Sequence, residues 1–117
     1  MTFDIVDDLL ENILTDIGFE LVLKLVSRVR RVGIVLLAPV CSSFCWVNRH
    51  TSQRSVLFPL GCEHVHSVRD GNIMVSRVIL ILMLIMARGA VFVLEQPLLS
   101  LLPEHPRFVA FIERFNM

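Results

Sequence analysis

Residues 34–46 of the chain read IVLLAPVCSSFCW and change abruptly from an unbroken apolar run to a proline, a thiol and hydroxyls. The apolar run has the length and character of a strand buried on both faces, as in a parallel sheet. Open α/β sheets carry their chemistry just beyond the carboxyl ends of such strands. We therefore predict a strand over 34–38, with Cys41 in the turn that follows it.

A second helix–strand unit occurs later in the chain. Apolar residues at helical spacing predict a buried helix over 71–88, and Gly89 is placed to end it. A strand over 90–95 comes next, and Pro97 ends it. Alternating helices and strands in this order are typical of a parallel sheet with right-handed crossovers.

The carboxyl ends of two neighbouring parallel strands lie on the same edge of a sheet. Cys41 follows the first predicted strand, and Glu95 stands at the end of the second, 54 residues further along the chain. We therefore expect Cys41 and Glu95 to face one crevice.

The remaining elements complete a single partial α/β domain over 1–117. We predict helices over 4–14 and 16–31, a polar loop over 42–70 and C-terminal helices within 98–115. Thr15 or Asp16 is expected to cap the second helix, and Asn72 to cap the helix after the loop. The fold class is α/β, with a partial Rossmann-like parallel sheet and flanking helices. The loop is longer than a compact domain normally needs, which is typical of functional or disordered segments.

The composition is strongly apolar, with 55% hydrophobic residues, 19% charged residues and a formal net charge of zero. Such a chain is not intrinsically disordered, because disorder needs low hydrophobicity and high net charge. The absence of net charge removes any overall attraction to nucleic acid or anionic lipid. The composition fits a core-heavy α/β unit, a membrane protein, or a chain whose apolar faces expect a partner.

Membrane association around 78–94 is an alternative interpretation. The densest apolar run covers 78–87, whereas a membrane-spanning helix needs roughly 20 residues. Extending the run to 94 would place Arg88 and Gly89 inside the bilayer. The acidic N-terminus lacks the basic region of a signal peptide, and three cysteines show no disulfide framework. We therefore expect an intracellular protein, nuclear or cytoplasmic, with reduced thiols.

The polar segment after the first strand offers candidate binding residues. Its hydroxyls, amide and arginines could cradle a phosphate or a base, although a generic polar loop explains them equally well. These residues are Ser42, Ser43, Asn48, Arg49, Thr51, Ser52 and Arg54. Phe44 and Trp46 could stack on a base or close the edge of a core.

Cysteines and histidines in the same part of the chain provide five soft ligands, and zinc needs four in a tetrahedron. The five are Cys41, Cys45, Cys62, His64 and His66. Their spacings are not those of common zinc knuckles, and buried reduced cysteines are ordinary in proteins. We therefore predict no metal site and interpret these residues as surface histidines and inert thiols.

Two short motifs resemble the catalytic motifs of C5-cytosine DNA methyltransferases. Ala38-Pro39-Val40-Cys41 resembles their Pro-Pro-Cys nucleophile motif, and residues 92–97, FVLEQP, resemble their Glu-Asn-Val or Glu-Asn-Pro strand tip. The order and the topological positions of the two motifs agree with that family. The resemblance implies a methyltransferase-type Rossmann-like sheet.

A closer likeness is to an uncharacterised group of algal predicted proteins, and it covers roughly residues 12 to 108. This likeness names a family without giving it a function. The matching residues are Cys41-Ser42-Ser43, Asn48, Thr51-Ser52, Arg54, Pro59-Leu60-Gly61, Val68-Arg69, Asn72-Ile73-Met74, Arg77, Glu95-Gln96-Pro97 and His105-Pro106-Arg107.

The methyltransferase resemblance implies a role for each matched residue. Cys41 would attack C6 of a cytosine as a thiolate, and Glu95 would hold N3 of the same ring. The target base would be flipped out of the stack to reach them. The substrate-binding residues would be Ser42, Ser43, Asn48, Arg54 and Gln96.

The chain departs from the methyltransferase pattern in several respects. Val40 replaces the second proline, and Gln96 replaces the asparagine after the glutamate. No Gly-rich loop follows a first strand, so S-adenosylmethionine would bind only if a partner or a missing segment supplied its site. We therefore expect a truncated or degenerate methyltransferase-like domain that is inactive alone. Its expected partners are nucleic acid and another chain that covers its apolar faces. The alternatives are a non-enzymatic interaction module and a small membrane-associated protein.

Overall fold

The structure, a computed structural model, describes residues 12–39 and 42–117 except for the side chain of Trp46. The described residues form four α-helices and two strands: α1 (Asp16–Val26), β1 (Ile34–Leu37), α2 (Arg49–Ser52), α3 (His66–Ala87), β2 (Val91–Leu94) and α4 (Pro106–Arg114). Short 3-10 helices occur at Ser42–Phe44, Trp46–Asn48 and Leu102–Glu104. Cys41 and most of the helix predicted over 4–14 lie outside the described residues. The last part of that predicted helix, 12–14, is a turn.

The two strands pair in parallel, and their register runs from Ile34 opposite Val91 to Leu37 opposite Leu94. Both strands consist of β-branched, aromatic or leucine side chains, which suit a pleated surface. The chain is thus mixed helix and strand, with a two-stranded parallel sheet and flanking helices, as predicted. Both strands are shorter than predicted, because positions 38, 90 and 95 lie outside the ladder.

One face of this sheet is exposed, so the expectation that the first strand is covered on both faces is wrong. Ile34 and Leu36 of β1 are 74% and 65% exposed. Their partners on β2, Val91 and Val93, are 55% and 48% exposed. Side chains alternate between the faces of a strand, so these four share one face. We call them the exposed sheet face.

α1 begins as predicted and ends earlier than predicted. The Thr15 hydroxyl caps it by accepting a hydrogen bond from the backbone N–H of Gly18 at 3.0 Å. The helix stops at Val26, five residues before the predicted end at 31. Further on, Val32 adopts a left-handed backbone with φ of 58°, so no helix could run directly into β1.

α3 is longer than predicted because it begins at His66 rather than at 71. The 3-10 helices, α2 and the first turn of α3 replace much of the predicted loop over 42–70. Val68, Val75 and Leu82 recur every seven residues along α3, and all three are buried. The predicted stop at Gly89 is confirmed, since Gly89 has a φ of 73° just after the last helical turn.

The contacts group the described residues into two compact units. The first comprises the described residues of Met1–Leu37 together with Arg77–Leu94. Its buried apolar residues are Val26, Val78, Ile81, Leu82, Ile85 and Ala90. The second comprises the described residues of Ala38–Ser76 together with Glu95–Met117. Its buried apolar residues are Phe44, Val68, Met74, Val75, Leu102 and Phe111.

Arg77 fastens the N-terminal turn of the first unit to α3. Its Nη1 donates to the carbonyl oxygens of Ile13 and Thr15 at 2.7 and 2.9 Å, and its Nη2 lies 2.8 Å from the carboxylate of Asp16. The guanidinium also lies 4.9 Å from the centre of the Phe19 ring. The planar guanidinium thus satisfies oxygens that precede and begin α1.

Candidate functional site

The residues after the two strand ends are joined by Gln96. Its Nε2 donates to the Pro39 carbonyl oxygen at 3.5 Å, and its Oε1 accepts from the Ser100 hydroxyl at 2.8 Å. Glu95 is exposed beside it. Cys41 lies outside the described residues, two positions after Pro39 along the chain. The amide of Gln96, a predicted substrate-binding group, is therefore bonded to the protein itself.

Arg54 was predicted to contact substrate, but the structure buries it to 3% exposure. Its Nε donates to the Ser43 carbonyl at 3.1 Å, and its Nη2 donates to the Ser43 hydroxyl at 3.0 Å and the Val68 carbonyl at 3.1 Å. Its Nη1 donates to the Pro59 carbonyl at 2.7 Å and to Asn72 Oδ1 at 2.8 Å. All three guanidinium nitrogens therefore face protein oxygens, and Arg54 organises the segment around it.

Burial changes the acidity of Arg54 without removing its charge at neutral pH. Desolvation lowers the pKa of its guanidinium to about 10, and the nearby Glu63 carboxylate acts in the opposite direction. The Phe44 ring lies 3.8 Å from the guanidinium carbon, so the cation also rests on an aromatic face. Phe44 itself is fully buried. It closes a core and does not offer a surface on which a base could stack.

Asn72 is the centre of this buried cluster, and the prediction that it caps a helix is wrong. Asn72 lies inside α3 and is 5% exposed. Its Oδ1 accepts from Arg54 and lies 3.2 Å from His105 Nε2. Its carbonyl oxygen accepts from Arg107 Nη1 at 3.0 Å. We call Ser43, Arg54, Asn72, His105 and Arg107 the Asn72 network.

His105 is fully buried in this network and is neutral. Its Nδ1 accepts from the backbone N–H of Arg107 at 3.2 Å, so Nε2 carries the proton that faces the oxygen of Asn72. Burial lowers its pKa to about 4, and the cations of Arg107 and Arg54 act in the same direction. A histidine without solvent access does not serve as a proton shuttle. His105 therefore holds structure together.

A polar pocket lies in the second unit, and several predicted binding residues line it. Its volume is about 270 Å³, and its lining consists of Ser42, Ser43, Asn48, Thr51, Ser52 and Ser67. Among the predicted substrate-binding residues, the structure therefore brings Ser42, Ser43 and Asn48 together. It places Arg54 behind Ser43 and leaves Gln96 beside Pro39.

Local bonds shape this pocket. Asn48 Nδ2 donates to the Ser42 carbonyl at 2.6 Å, and Asn48 immediately precedes α2. The Ser52 hydroxyl accepts from the backbone N–H of Arg54 at 3.3 Å. Ser67 was missed because the helix was expected to begin at 71. The apolar spacing of Val68 with later buried positions on α3 is the signal that could have found it.

The thiols and imidazoles of the described residues do not assemble into a metal site. Cys45 and Cys62 are half-buried, reduced cysteines, whereas His64 and His66 are exposed. His66 instead pairs with Asp70 at 3.0 Å on the same helix. Over 12–39 and 42–117, no three side chains of the metal-ligating types gather in one place.

One helix in the described part of the chain is long and apolar enough to cross a membrane. This helix is α3, whose most apolar window has a mean hydropathy of 1.8, with 44% of that window buried within the structure. The span considered from the sequence, 78–94, is not one helix, because α3 ends at Ala87 and β2 begins at Val91.

Comparison with known proteins found no relative of this chain. No protein-family model matches the chain, and no curated protein or solved structure is significantly similar to it.

Proposed function

We propose that this chain is a degenerate, partial C5-cytosine methyltransferase-like domain, Rossmann-like in fold, that binds a pyrimidine base and does not methylate it alone. Cys41 and Glu95 are the residues that carry the proposal. Their expected setting is an intracellular compartment, nuclear or cytoplasmic, where the thiol is kept reduced. Nucleic acid is the proposed ligand.

The parallel register of the two strands is the observation that supports this proposal most directly. Leu37, at the end of β1, pairs with Leu94, at the end of β2. Cys41 follows Leu37 by four residues, and Glu95 follows Leu94 at once. The bond from Gln96 to Pro39 ties together the two segments that contain them. The carboxyl ends of parallel strands are where open α/β sheets bind ligands.

The proposed chemistry is a reversible addition to the base. The Cys41 thiol loses its proton to solvent, and the resulting thiolate forms a bond to C6. The C5–C6 π bond breaks, and its electron pair shifts to C5 and on toward N3. Glu95 holds N3, where the ring gains negative character. Elimination of the thiolate restores the base. The bond between sulfur and C6 is the only one formed.

The described residues do not fit S-adenosylmethionine, and we route no step through it. Proline rather than glycine follows each strand, Pro39 after β1 and Pro97 after β2. A Gly-rich turn with open backbone N–H groups is what such nucleotide sites use. Methyl transfer would therefore need a partner chain that supplies the cofactor site.

Thiol reactivity tests the nucleophile. Folded protein is labelled briefly with a thiol-selective reagent between pH 5 and 9, and mass spectrometry compares Cys41 with Cys45 and Cys62. An activated Cys41 reacts well below the ordinary thiol pKa of about 8.5. Equal reactivity of all three cysteines, or labelling of Cys41 only in denaturant, would exclude a nucleophile at this position.

Adduct formation tests the pair. An oligonucleotide that contains 2-pyrimidinone in place of cytosine should form a covalent adduct with the protein. Mass spectrometry should then show the mass of the protein increased by the mass of one strand. The Cys41→Ser substitution should abolish this adduct, and Glu95→Gln should slow its formation at least tenfold. Glu104→Gln removes another exposed carboxylate and serves as the matched control. Absence of an adduct with the unaltered protein would refute the proposal.

The exposed sheet face favours a second candidate function, a non-enzymatic interaction module. Four apolar side chains, Ile34, Leu36, Val91 and Val93, stand on one face and are each about half exposed or more. Apolar patches of this kind are often protein-binding surfaces. A partner chain that covers this face should bind the Cys41→Ser variant as tightly as it binds the unaltered chain.

Membrane association is a third candidate, supported by the length and hydropathy of α3. A membrane protein of this type would stay with the membrane fraction after carbonate treatment and dissolve only in detergent. Release by carbonate would refute membrane association and leave the other two candidates.

A further inference from the structure

We infer that the pocket lined by Ser42, Ser43, Asn48, Thr51, Ser52 and Ser67 binds a phosphate group. The inference extends the proposed function, because it assigns a ligand class to the predicted substrate-binding residues. It does not require any chemistry at Cys41, and the experiment below separates the two.

The size and lining of the pocket select a small polar ligand. Its volume of about 270 Å³ lies just below the range of roughly 300–1,000 Å³ typical of ligand sites. The side chains that line it carry five hydroxyls and one amide. A compact group rich in hydrogen-bond acceptors is the complement of that lining.

The two buried hydroxyls of the lining each keep the capacity to donate a hydrogen bond. The hydroxyl oxygen of Ser43 accepts from Arg54 Nη2, and that of Ser52 accepts from the Arg54 backbone N–H. An oxygen that accepts one of these bonds still carries its own proton, which it can donate to a ligand. Ser43 and Ser52 are 5% and 2% exposed, so their positions are held by packing.

The charges near the pocket favour an anion. The Arg54 guanidinium lies directly behind the Ser43 hydroxyl and polarises it, which strengthens the donor on the pocket side. Ser67 lies in the first turn of the 22-residue α3, where backbone N–H groups give a partial positive charge. The described lining includes no carboxylate. Glu63 and Asp70 bond to Asn72 and His66 and are not among the lining residues.

Calorimetric titration with four probes tests the inference. The probes are inorganic phosphate, deoxycytidine 5′-monophosphate, deoxycytidine and a short oligodeoxycytidine strand. We expect phosphate-bearing probes to bind at least about tenfold tighter than deoxycytidine, since hydrogen bonds to a charged group outweigh neutral ones. Tighter binding of the strand assigns the site to a nucleic-acid backbone, and equal binding of the monophosphate assigns it to a free nucleotide. Equal affinity for deoxycytidine and its monophosphate would overturn the inference.

Two exposed lining hydroxyls provide variants that should fold normally. Thr51→Val combined with Ser67→Ala should weaken binding of the monophosphate by about tenfold or more. Ser27→Ala removes an exposed hydroxyl of the other unit and should leave binding unchanged. Unchanged binding by the double variant would also overturn the inference.

Two further measurements keep the outcome interpretable. Amide chemical shifts recorded during a phosphate titration should change at 42–43, 48–52 and 67, even if a variant folds poorly. Cys41→Ser should bind phosphate normally while losing the pyrimidinone adduct. Phosphate binding without an adduct would refute only the proposed function, and an adduct with no phosphate binding would refute only this inference.

Discussion

The two units of this chain differ in the polar groups that they bury and in how they expose apolar side chains. The second unit buries Arg54, Asn72 and His105 of the Asn72 network, which meet among backbone carbonyls and the exposed Arg107. The first unit leaves the exposed sheet face, four apolar side chains, in contact with solvent. Polar groups are stable in an interior only when partners satisfy them, and apolar groups on a surface weaken solubility. Both units expose apolar side chains, including Leu57 and Leu98 of the second unit. The difference is that four of those in the first unit share one face of a sheet, which suits a partner.

Replacing Arg54 should have the largest effect, because it leaves several buried oxygens without a donor. We expect Arg54→Met to lower the free energy of unfolding by about 4 kcal/mol, measured by urea denaturation. Arg54→Lys should not restore this loss, since an ammonium cannot reproduce the planar guanidinium. The control is Arg114→Met, an exposed arginine in the last turn of α4, with a change under about 0.5 kcal/mol. A loss below about 1 kcal/mol for Arg54→Met would show that the network is not a main source of stability.

Protonation of His105 should give the next largest effect. Its folded-state pKa is about 4, below the ordinary value of 6.5, so the unfolded chain takes up the proton first as the pH falls. The neutral imidazole of His105 contributes about 3 kcal/mol to the free energy of unfolding. This contribution is fully present above about pH 6.5 and is lost as the pH falls toward 4.

The free energy of unfolding of the His105→Gln variant should not show this loss between pH 6.5 and 4. His64→Gln, in which an exposed histidine is replaced, should keep it. A pH dependence that is identical in the unaltered chain and His105→Gln would contradict the assignment of a neutral, buried imidazole.

Replacing Arg77 tests whether hydrogen bonds from a guanidinium also stabilise the first unit. Arg77→Ala should lower the free energy of unfolding by about 2 kcal/mol, because two backbone carbonyls at the start of α1 lose a charged donor. Asp16→Asn should cost less than about 0.5 kcal/mol, since that carboxylate is 96% exposed. Hydrogen exchange of α1 amides and urea denaturation would measure both. Equal losses for the two variants would mean that the ion pair, and not the carbonyl contacts, provides the stabilisation.

The exposed sheet face should show the smallest effect on stability and a clear effect on association. Leu36→Thr combined with Val93→Thr should change the free energy of unfolding by under about 1 kcal/mol, because both side chains are largely exposed. The same variant should lower the apparent mass in sedimentation toward the 13.3 kDa of a single chain. Val35→Thr, on the opposite and better covered face, is the matched control and should not alter association. If the unaltered chain is monomeric at high concentration, the exposed sheet face does not mediate association.

Local patterns were enough to predict several features of the fold. The two apolar runs, the Thr15 cap and the stop at Gly89 each depend on residues within one turn or one strand. Alternation of helices and strands was enough to predict the parallel pairing of β1 and β2. The end of α1 and the start of α3 were predicted poorly, because helical spacing continues past Val26 and does not show that the turn at Val68 is buried.

The candidate site was predicted only in part. Ser42, Ser43 and Asn48 lie together around one pocket because two short helical turns bring close neighbours in sequence together. Arg54 was expected to face a ligand, since an arginine in a polar segment is usually exposed. Its acceptors come from positions as far apart as Ser43 and Asn72, and their convergence is not visible in the order of residues.

The sequence alone determined the two strands, their parallel pairing, the long helix between them and the positions of Cys41 and Glu95 after the strand ends, because periodicity and turn residues act over short distances. The tertiary structure alone decided which polar residues are structural and which line a pocket. Burial of Arg54, Asn72 and His105 requires partners that satisfy every one of them at once. Those partners are supplied by segments separated by tens of residues, and only packing brings them within hydrogen-bonding distance.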